Sequence, residues 1–423
     1  MLQPMKIAAV AAGMFLAFAL PARAQPVSAN DTARFLAGLP PSAESPLTPL
    51  TKDPSWQRHA KFFDNAFGQL EQRQLSKIRV WADANLAAPR PTMFYMFSGP
   101  DFLYANAFYP KASTYVLSAL EPIGAVPDLM RLPRGGIGGA LNNVERSMST
   151  IINNSFFITN HMQIDLRAGQ LNGALPILYV FLARSGKTIR DVTLVTLDDS
   201  GAFLPQATTT GKNLAQGVKI LFAGSDGAER TLYYFSTNIS DPGLKSSGFL
   251  KFCETLAPGN SLIKSASYLP HSPNFAIVRA FLLNNSATMI QDDSGIPLSQ
   301  YEPTKWRFFP FGHYVGPIGA FAGKYQPKYA ELFKKSQPMD FGVGYRWRAP
   351  ESNLLLAVRL PSDGPGGVEA TASTEPRRER PARARATASS EPRREKPARP
   401  KRPRAPPQAV APSGFWWFGQ PSR

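Results

Sequence analysis

Thr92-Met-Phe-Tyr-Met-Phe97, then Ser98-Gly-Pro-Asp101, a short helical stretch to Phe108, and Ser113-Thr-Tyr-Val-Leu-Ser-Ala119 decide how this chain folds. The first segment is a short apolar, aromatic run of the kind that makes a buried strand, and the Ser-Gly-Pro-Asp behind it is a turn. Tyr109-Pro110 ends the helical stretch, and the second apolar run stops at Leu120-Glu-Pro122. Strand, turn, helix and strand in about thirty residues is the size of a βαβ unit, whose two strands lie parallel.

Upstream, Trp56, Ala60, Phe63, Phe67 and Leu70 recur at spacings of three and four behind Asp53-Pro54, one apolar face of a helix. Residues 25–53 are rich in Pro, Ser, Thr and Ala and are expected to form a flexible lead-in with one short helical patch near Asp31 to Leu39. Downstream, helices are predicted over 137–153, 173–184, 274–284 and 328–335. Strands are predicted over 191–197, 218–223, 230–236 and 287–290, with Gly224-Ser-Asp-Gly227 as a hairpin turn. Residues 341–347 and 354–360 are expected to close the domain as a second hairpin. Helices interleaved with short buried strands predict one α/β domain over 54–361. Its single sheet is mixed but mostly parallel, with helices on both faces, a Rossmann-like arrangement.

The ends have a different character. Lys6, an uncharged apolar run from Ile7 to Leu20, Pro21 and Ala22-Arg-Ala24 have the three parts of a secretory signal peptide, residues 1–24, with cleavage expected before Gln25. At about fourteen residues the run is shorter than the roughly twenty that span a bilayer. The expected location is the periplasm or the exterior. From Ser362 onward Pro and Arg dominate, and Ala370-Thr-Ala-Ser-Thr-Glu-Pro-Arg-Arg-Glu-Arg-Pro-Ala-Arg383 returns sixteen residues later as 386–399. Residues 362–423 are expected to be a disordered basic tail, tipped by the aromatic cluster Phe415-Trp-Trp-Phe418. Residues 361–423 hold 13 basic and 6 acidic side chains, so much of the net charge of +17 belongs to the tail. Export turns the expected partner of that charge from nucleic acid to an envelope polyanion: lipopolysaccharide, peptidoglycan or acidic lipid. The single cysteine, Cys253, excludes an internal disulfide and is expected to be a small buried residue.

For chemistry, the βαβ turn invites a nucleotide-binding reading: Ser98, Gly99 and Asp101 follow the first strand, and Glu121 lies about twenty residues on. Against it, the turn has one glycine, Pro100 removes a backbone donor, and an exported protein is not supplied with dinucleotides. No cofactor is expected. Residues 233–268, running strand, Asp241-Pro-Gly243, helix, Leu256-Ala-Pro-Gly-Asn260, strand, resemble the later half of the class I methyltransferase fold, and the closing hairpin is similar to its last two strands. The likeness implies topology only, since the glycine-rich cofactor motif is missing. Phe97-Ser-Gly-Pro-Asp101 and Gln291-Asp-Asp-Ser-Gly-Ile-Pro297 resemble segments of exported bacterial proteins without an assigned activity.

Thr196-Leu-Asp-Asp-Ser-Gly201 and Ile290-Gln-Asp-Asp-Ser-Gly295 echo one another. Each Asp pair reads either as a turn, with Asp accepting backbone N–H groups, or as an acid/base or cation site. Asp292 and Asp293 are the better catalytic candidates, with His313 in the Gly- and aromatic-rich loop 306–319 as a partner. The four histidines have no zinc-site spacing, so no metal is expected, and no nucleophile elbow, P-loop or His-Glu-x-x-His is present. The expected function is an envelope protein that binds a ligand or partner and is tethered by its tail. The alternatives are a periplasmic hydrolase using the Asp-Asp/His cleft and a degenerate methyltransferase-like fold without cofactor.

Overall fold

The fold is described from a computed structural model, which covers residues 27–86, 88–133, 135–157, 171–205, 207, 211 and 213–361. The expected signal peptide and the tail from 362 lie outside the described residues. Among the described residues nine strands form one sheet: β1 (Thr92–Tyr95), β2 (Thr114–Ala119), β3 (Thr188–Leu197), β4 (Ala215–Ala223), β5 (Glu229–Ser236), β6 (Gly259–Ile263), β7 (Ser286–Gln291), β8 (Trp306–Gly312) and β9 (Asn353–Arg359). Their order is β3-β4-β5-β2-β1-β6-β7-β9-β8. The five central strands, β5, β2, β1, β6 and β7, are mutually parallel. β4 and β9 run against them, β3 and β8 with them. The mixed α/β sheet expected from the sequence is the sheet observed.

Alternation along the strands sends side chains to two cores. Met93, Tyr95, Tyr115, Leu117, Leu262 and Ile290 face one layer of helices: α1 (Ala29–Leu36), α2 (Pro54–Leu70), α3 (Ser76–Asn85), α4 (Phe102–Phe108), α5 (Gly136–Asn154) and α6 (Leu175–Arg184). Phe94, Met96, Val116, Ile263 and Met289 face the other: α7 (Asp241–Lys245), α8 (Phe249–Thr255) and α9 (Ala276–Asn285). α10 (Pro327–Phe333) packs through Tyr329 and Phe333 against Leu355 of β9. Cys253 is buried in α8, and burial pushes its thiol pKa up.

Two expectations are corrected. Residues 27–53 are not a flexible lead-in. Ser28 caps α1 by accepting the Asp31 N–H, and Phe35, Leu36 and Leu47 are buried in the first core. The Trp56 indole donates to the Phe35 carbonyl at 3.0 Å. The helical patch near 31–39 is the local signal that α1 realises, and burial against the first core orders the rest of the segment. The closing hairpin pairs β9 with β8, not with residues 341–347. β8 contains Pro310, which reads against a strand, but β8 lies at the sheet edge, where proline is tolerated. Residues 341–347 instead fold back on themselves, with Val343 bridging only to Arg346.

Candidate functional site

From β1 the chain passes to β2 and then, by way of β3 and β4 at the sheet edge, to β5 beside β2, before returning to the other side of β1 for β6 and β7. Where the strand order reverses, the connections at the carboxyl ends of β1 and β6 leave in opposite directions, and crevices for ligands form there. Asp101, Lys264 and Asp292 follow β1, β6 and β7 at this edge.

Asp101 caps α4, its Oδ1 accepting the Tyr104 N–H at 3.1 Å. Its Oδ2 accepts the Tyr95 hydroxyl at 3.0 Å and lies 3.1 Å from Lys264 Nζ. Both side chains of this ion pair are almost fully buried, at 3% and 2% exposure. The ammonium also donates to the Ser155 carbonyl and sits 4.1 Å from the centre of the Tyr104 ring. The Tyr104 hydroxyl donates to Gln74 Oε1 at 2.6 Å, and Gln74 Nε2 donates to the Gly342 carbonyl at 2.6 Å. Gln74 lies in a π-helical turn, Glu71–Leu75, between α2 and α3. The wider turn carries its side chain into this network, a use of π-turns common at functional sites.

Asp292 and Asp293 follow β7 one strand away. Asp292 Oδ1 accepts the Ser294 N–H at 3.0 Å and the Ser294 hydroxyl at 2.5 Å; Oδ2 accepts the Ser265 N–H at 3.0 Å. Asp293 Oδ2 accepts the Tyr268 hydroxyl at 2.5 Å, and Oδ1 accepts Asn353 Nδ2 at 3.1 Å. Burial, and then the neighbouring carboxylate, pushes the pKa of Asp292 up to about 6. Burial also raises that of Asp293. The echo at Asp198 makes the same bonds, from the Ser200 N–H and hydroxyl. That side chain is half-buried in a turn whose next two residues are exposed, and its hydrogen bonds hold its pKa below the usual carboxylate range. The first Asp-Asp-Ser-Gly is a surface turn, and the second is the same turn buried at the sheet edge.

The segment after β6 has the most unusual backbone in the described chain. Ser265, Ser267 and Tyr268 have φ of +53°, +50° and +53°. Left-handed residues with a Cβ each cost about 1–3 kcal/mol and collect at active sites and ligand clamps. Tyr345 holds the segment in place: its hydroxyl donates to the Ser265 carbonyl at 3.0 Å and lies 2.9 Å from Ser267 Oγ. Beside it Gly344 has φ +70°, and a Cβ there would meet Asp292 Oδ2 at 1.9 Å, so only glycine fits. Phe156, Tyr345, Phe321, Tyr268 and His271 make a chain of ring contacts at 5.0–5.3 Å. Phe156, Tyr345 and Phe321 are half-buried, an aromatic rim around the buried acids.

The structure brings Asp101, Asp292 and Asp293 together across three adjacent strand ends, joined by Lys264 and Ser265. Ser98 and Gly99 lie in the loop of Asp101; the Ser98 hydroxyl donates to the Gly99 carbonyl at 2.6 Å. Glu121 is buried at the end of β2, its backbone oxygen accepting from the Tyr234 hydroxyl at 2.9 Å. His313 is exposed beyond β8, tied to the fold by its backbone N–H to Ser352, and does not enter the buried cluster. The histidine beside the Asp pair is His271, which packs on Tyr268 and whose pKa burial pushes down to about 4. Sequence reasoning missed Lys264, Tyr268, Tyr345 and Gln74. One signal was present: Lys264 directly follows a five-residue apolar-ended strand, where a charge lies at the sheet edge.

Among the described residues no group of three or more His, Cys, Asp or Glu is arranged to hold a metal ion. No described helix is long and apolar enough to cross a membrane. The chain matches no protein-family model, no curated protein and no solved structure.

Proposed function

We propose that this chain is an exported envelope protein that binds a small polar ligand at the carboxyl edge of β1, β6 and β7, and that its basic tail tethers it to an envelope polyanion. The observation that carries the binding reading is the run of left-handed Ser265, Ser267 and Tyr268 over the buried Asp292–Asp293 pair. Strain of that size persists where the surroundings over-determine it, and here it lies at the strand-order reversal where α/β sheets take ligands. A half-buried aromatic rim above carboxylates suits ligands that pair a flat apolar face with hydroxyl or amino groups.

The test is the melting temperature of the full chain against soluble peptidoglycan fragments, amino sugars and diamines. A compound that raises it in the wild type and not in Tyr345→Ala supports the site; a panel with no shift overturns the reading. For the tail, deletion of 362–423 should release the protein from the envelope fraction, and unchanged fractionation counts against a tether.

The raised Asp292 favours a second reading, an acid–base enzyme, because a carboxyl that holds its proton near neutral pH can exchange it with a substrate. Turnover of any bound compound, abolished in Asp292→Asn with binding retained, selects it. The antiparallel β8–β9 pair closing a run of parallel strands supports a methyltransferase-like architecture. The loop after β1 has only Gly99 where the cofactor motif needs several glycines.

A further inference from the structure

His59, on α2, is 1% exposed and has an acceptor on each side. Nδ1 lies 2.7 Å from Glu145 Oε1 of α5, and Nε2 lies 2.8 Å from the backbone oxygen of Leu36, the last residue of α1. A carbonyl oxygen and a carboxylate only accept, whereas a neutral imidazole offers one N–H and one lone pair. Making both bonds therefore takes one proton more than a neutral ring beside a carboxylate. The ring is doubly protonated, or Glu145 carries the proton and donates to Nδ1. We propose that the His59–Glu145 pair is a proton-operated latch, which holds the N-terminal helix α1 seated in acid and loosens it when the proton leaves.

Without that proton the one remaining N–H stays with the Glu145 carboxylate, the stronger acceptor, and the Nε2 lone pair faces the Leu36 carbonyl where water cannot replace the bond, a costly buried unmade bond. No other charge takes over. From α6, Arg184 donates to the Ala37 carbonyl and pairs with Asp64. From α1, Asp31 is held by Ser42, and Arg34 donates to the Pro40 carbonyl. Lys52, in the turn before α2, is exposed, as is Arg146 on α5. Among the described residues Glu145 is the one charged group in contact with the ring. The partly exposed Glu145 side chain, at 23%, gives the proton a route to solvent. α1 covers an edge of the sheet: Asn30 Oδ1 accepts the Ile189 N–H of β3 at 3.1 Å, and Phe35 and Leu36 fill the first core. Loosening α1 uncovers the β3 edge and these two side chains.

Amide hydrogen exchange in the full chain tests the latch. From about pH 5 to about pH 9, after correction for the intrinsic rates, protection of residues 32–37 is expected to fall about fivefold, the factor one such hydrogen bond carries. Residues 93–95 of β1 should keep theirs. In Glu145→Gln the amide donates to Nδ1 of a neutral ring, so both bonds survive without the extra proton and the protection becomes independent of pH. Equal changes in 32–37 and 93–95 overturn the proposal, as does a Glu145→Gln variant that keeps the wild-type drop. Should Glu145→Gln fail to fold, the comparison of the two segments in the wild type decides.

Discussion

Replacing Lys264 by methionine leaves the Asp101 carboxylate buried with its counter-ion gone. Breaking a buried pair from one side costs about 3–5 kcal/mol, whereas replacing both partners is close to neutral. Lys264→Met is therefore expected to lose several kcal/mol in urea denaturation, and Lys264→Met with Asp101→Asn to recover most of it. Independent losses in the double variant would show that the pair does not act as a unit. Asp292 makes a different prediction. Burial keeps its proton to higher pH in the folded chain than in the unfolded one, where the group titrates near 3.8. Between about pH 4 and about pH 6 the folded state thus binds more protons, and its stability falls as pH rises. Denaturation midpoints across that window should slope downward in the wild type and lose that part of the slope in Asp292→Asn.

At the scale of elements, residues 341–347 support the loop after β6 and are not a strand. Gln74 fastens them through the Gly342 carbonyl, Ser352 Oγ lies 2.9 Å from the Val343 nitrogen, and Tyr345 clamps the strained loop after β6. Gly344→Ala meets both a left-handed backbone and Asp292 Oδ2, so a loss of more than about 2 kcal/mol is expected. Gly319→Ala has open space and an ordinary backbone and should change stability by less than about 0.5 kcal/mol. A tolerated Gly344→Ala, read by thermal melting, would show that the support is not needed for folding.

Over the whole molecule, the two cores and the sheet between them bury Cys253 completely, and burial raises its thiol pKa. A thiol reagent should label the native chain slowly and the urea-unfolded chain at once; fast native labelling would mean that α8 opens readily. The β1–α4–β2 unit was legible because its apolar runs, turn and helix are all local patterns. Of the segment 27–53 only the helical patch was legible; its seating was not, since Phe35 and Leu36 are held by contacts with Trp56 and His59, more than twenty residues away. β8 was hidden by Pro310, whose tolerance depends on a place at the sheet edge that no local pattern shows. The site divides in the same way. Asp101, Asp292 and Asp293 stood out as acids at strand ends. Their partners Lys264 and Tyr268 did not, nor did Gln74 behind Tyr104, because each reaches the site through space.

By itself the sequence determined the alternation of helices and strands, the turn at 98–101 and the turn chemistry of the two Asp-Asp-Ser-Gly segments. All of these follow from periodicity or from hydrogen bonds within a few residues. Only the tertiary structure decided that one of those turns lies at the surface, with Asp199 and Ser200 exposed, and the other is buried at Asp292. The bonds are the same; the solvent is not. Desolvation depends on what the rest of the chain packs over a group, and that is why identical tetrapeptides end as a surface turn and as the centre of the candidate site.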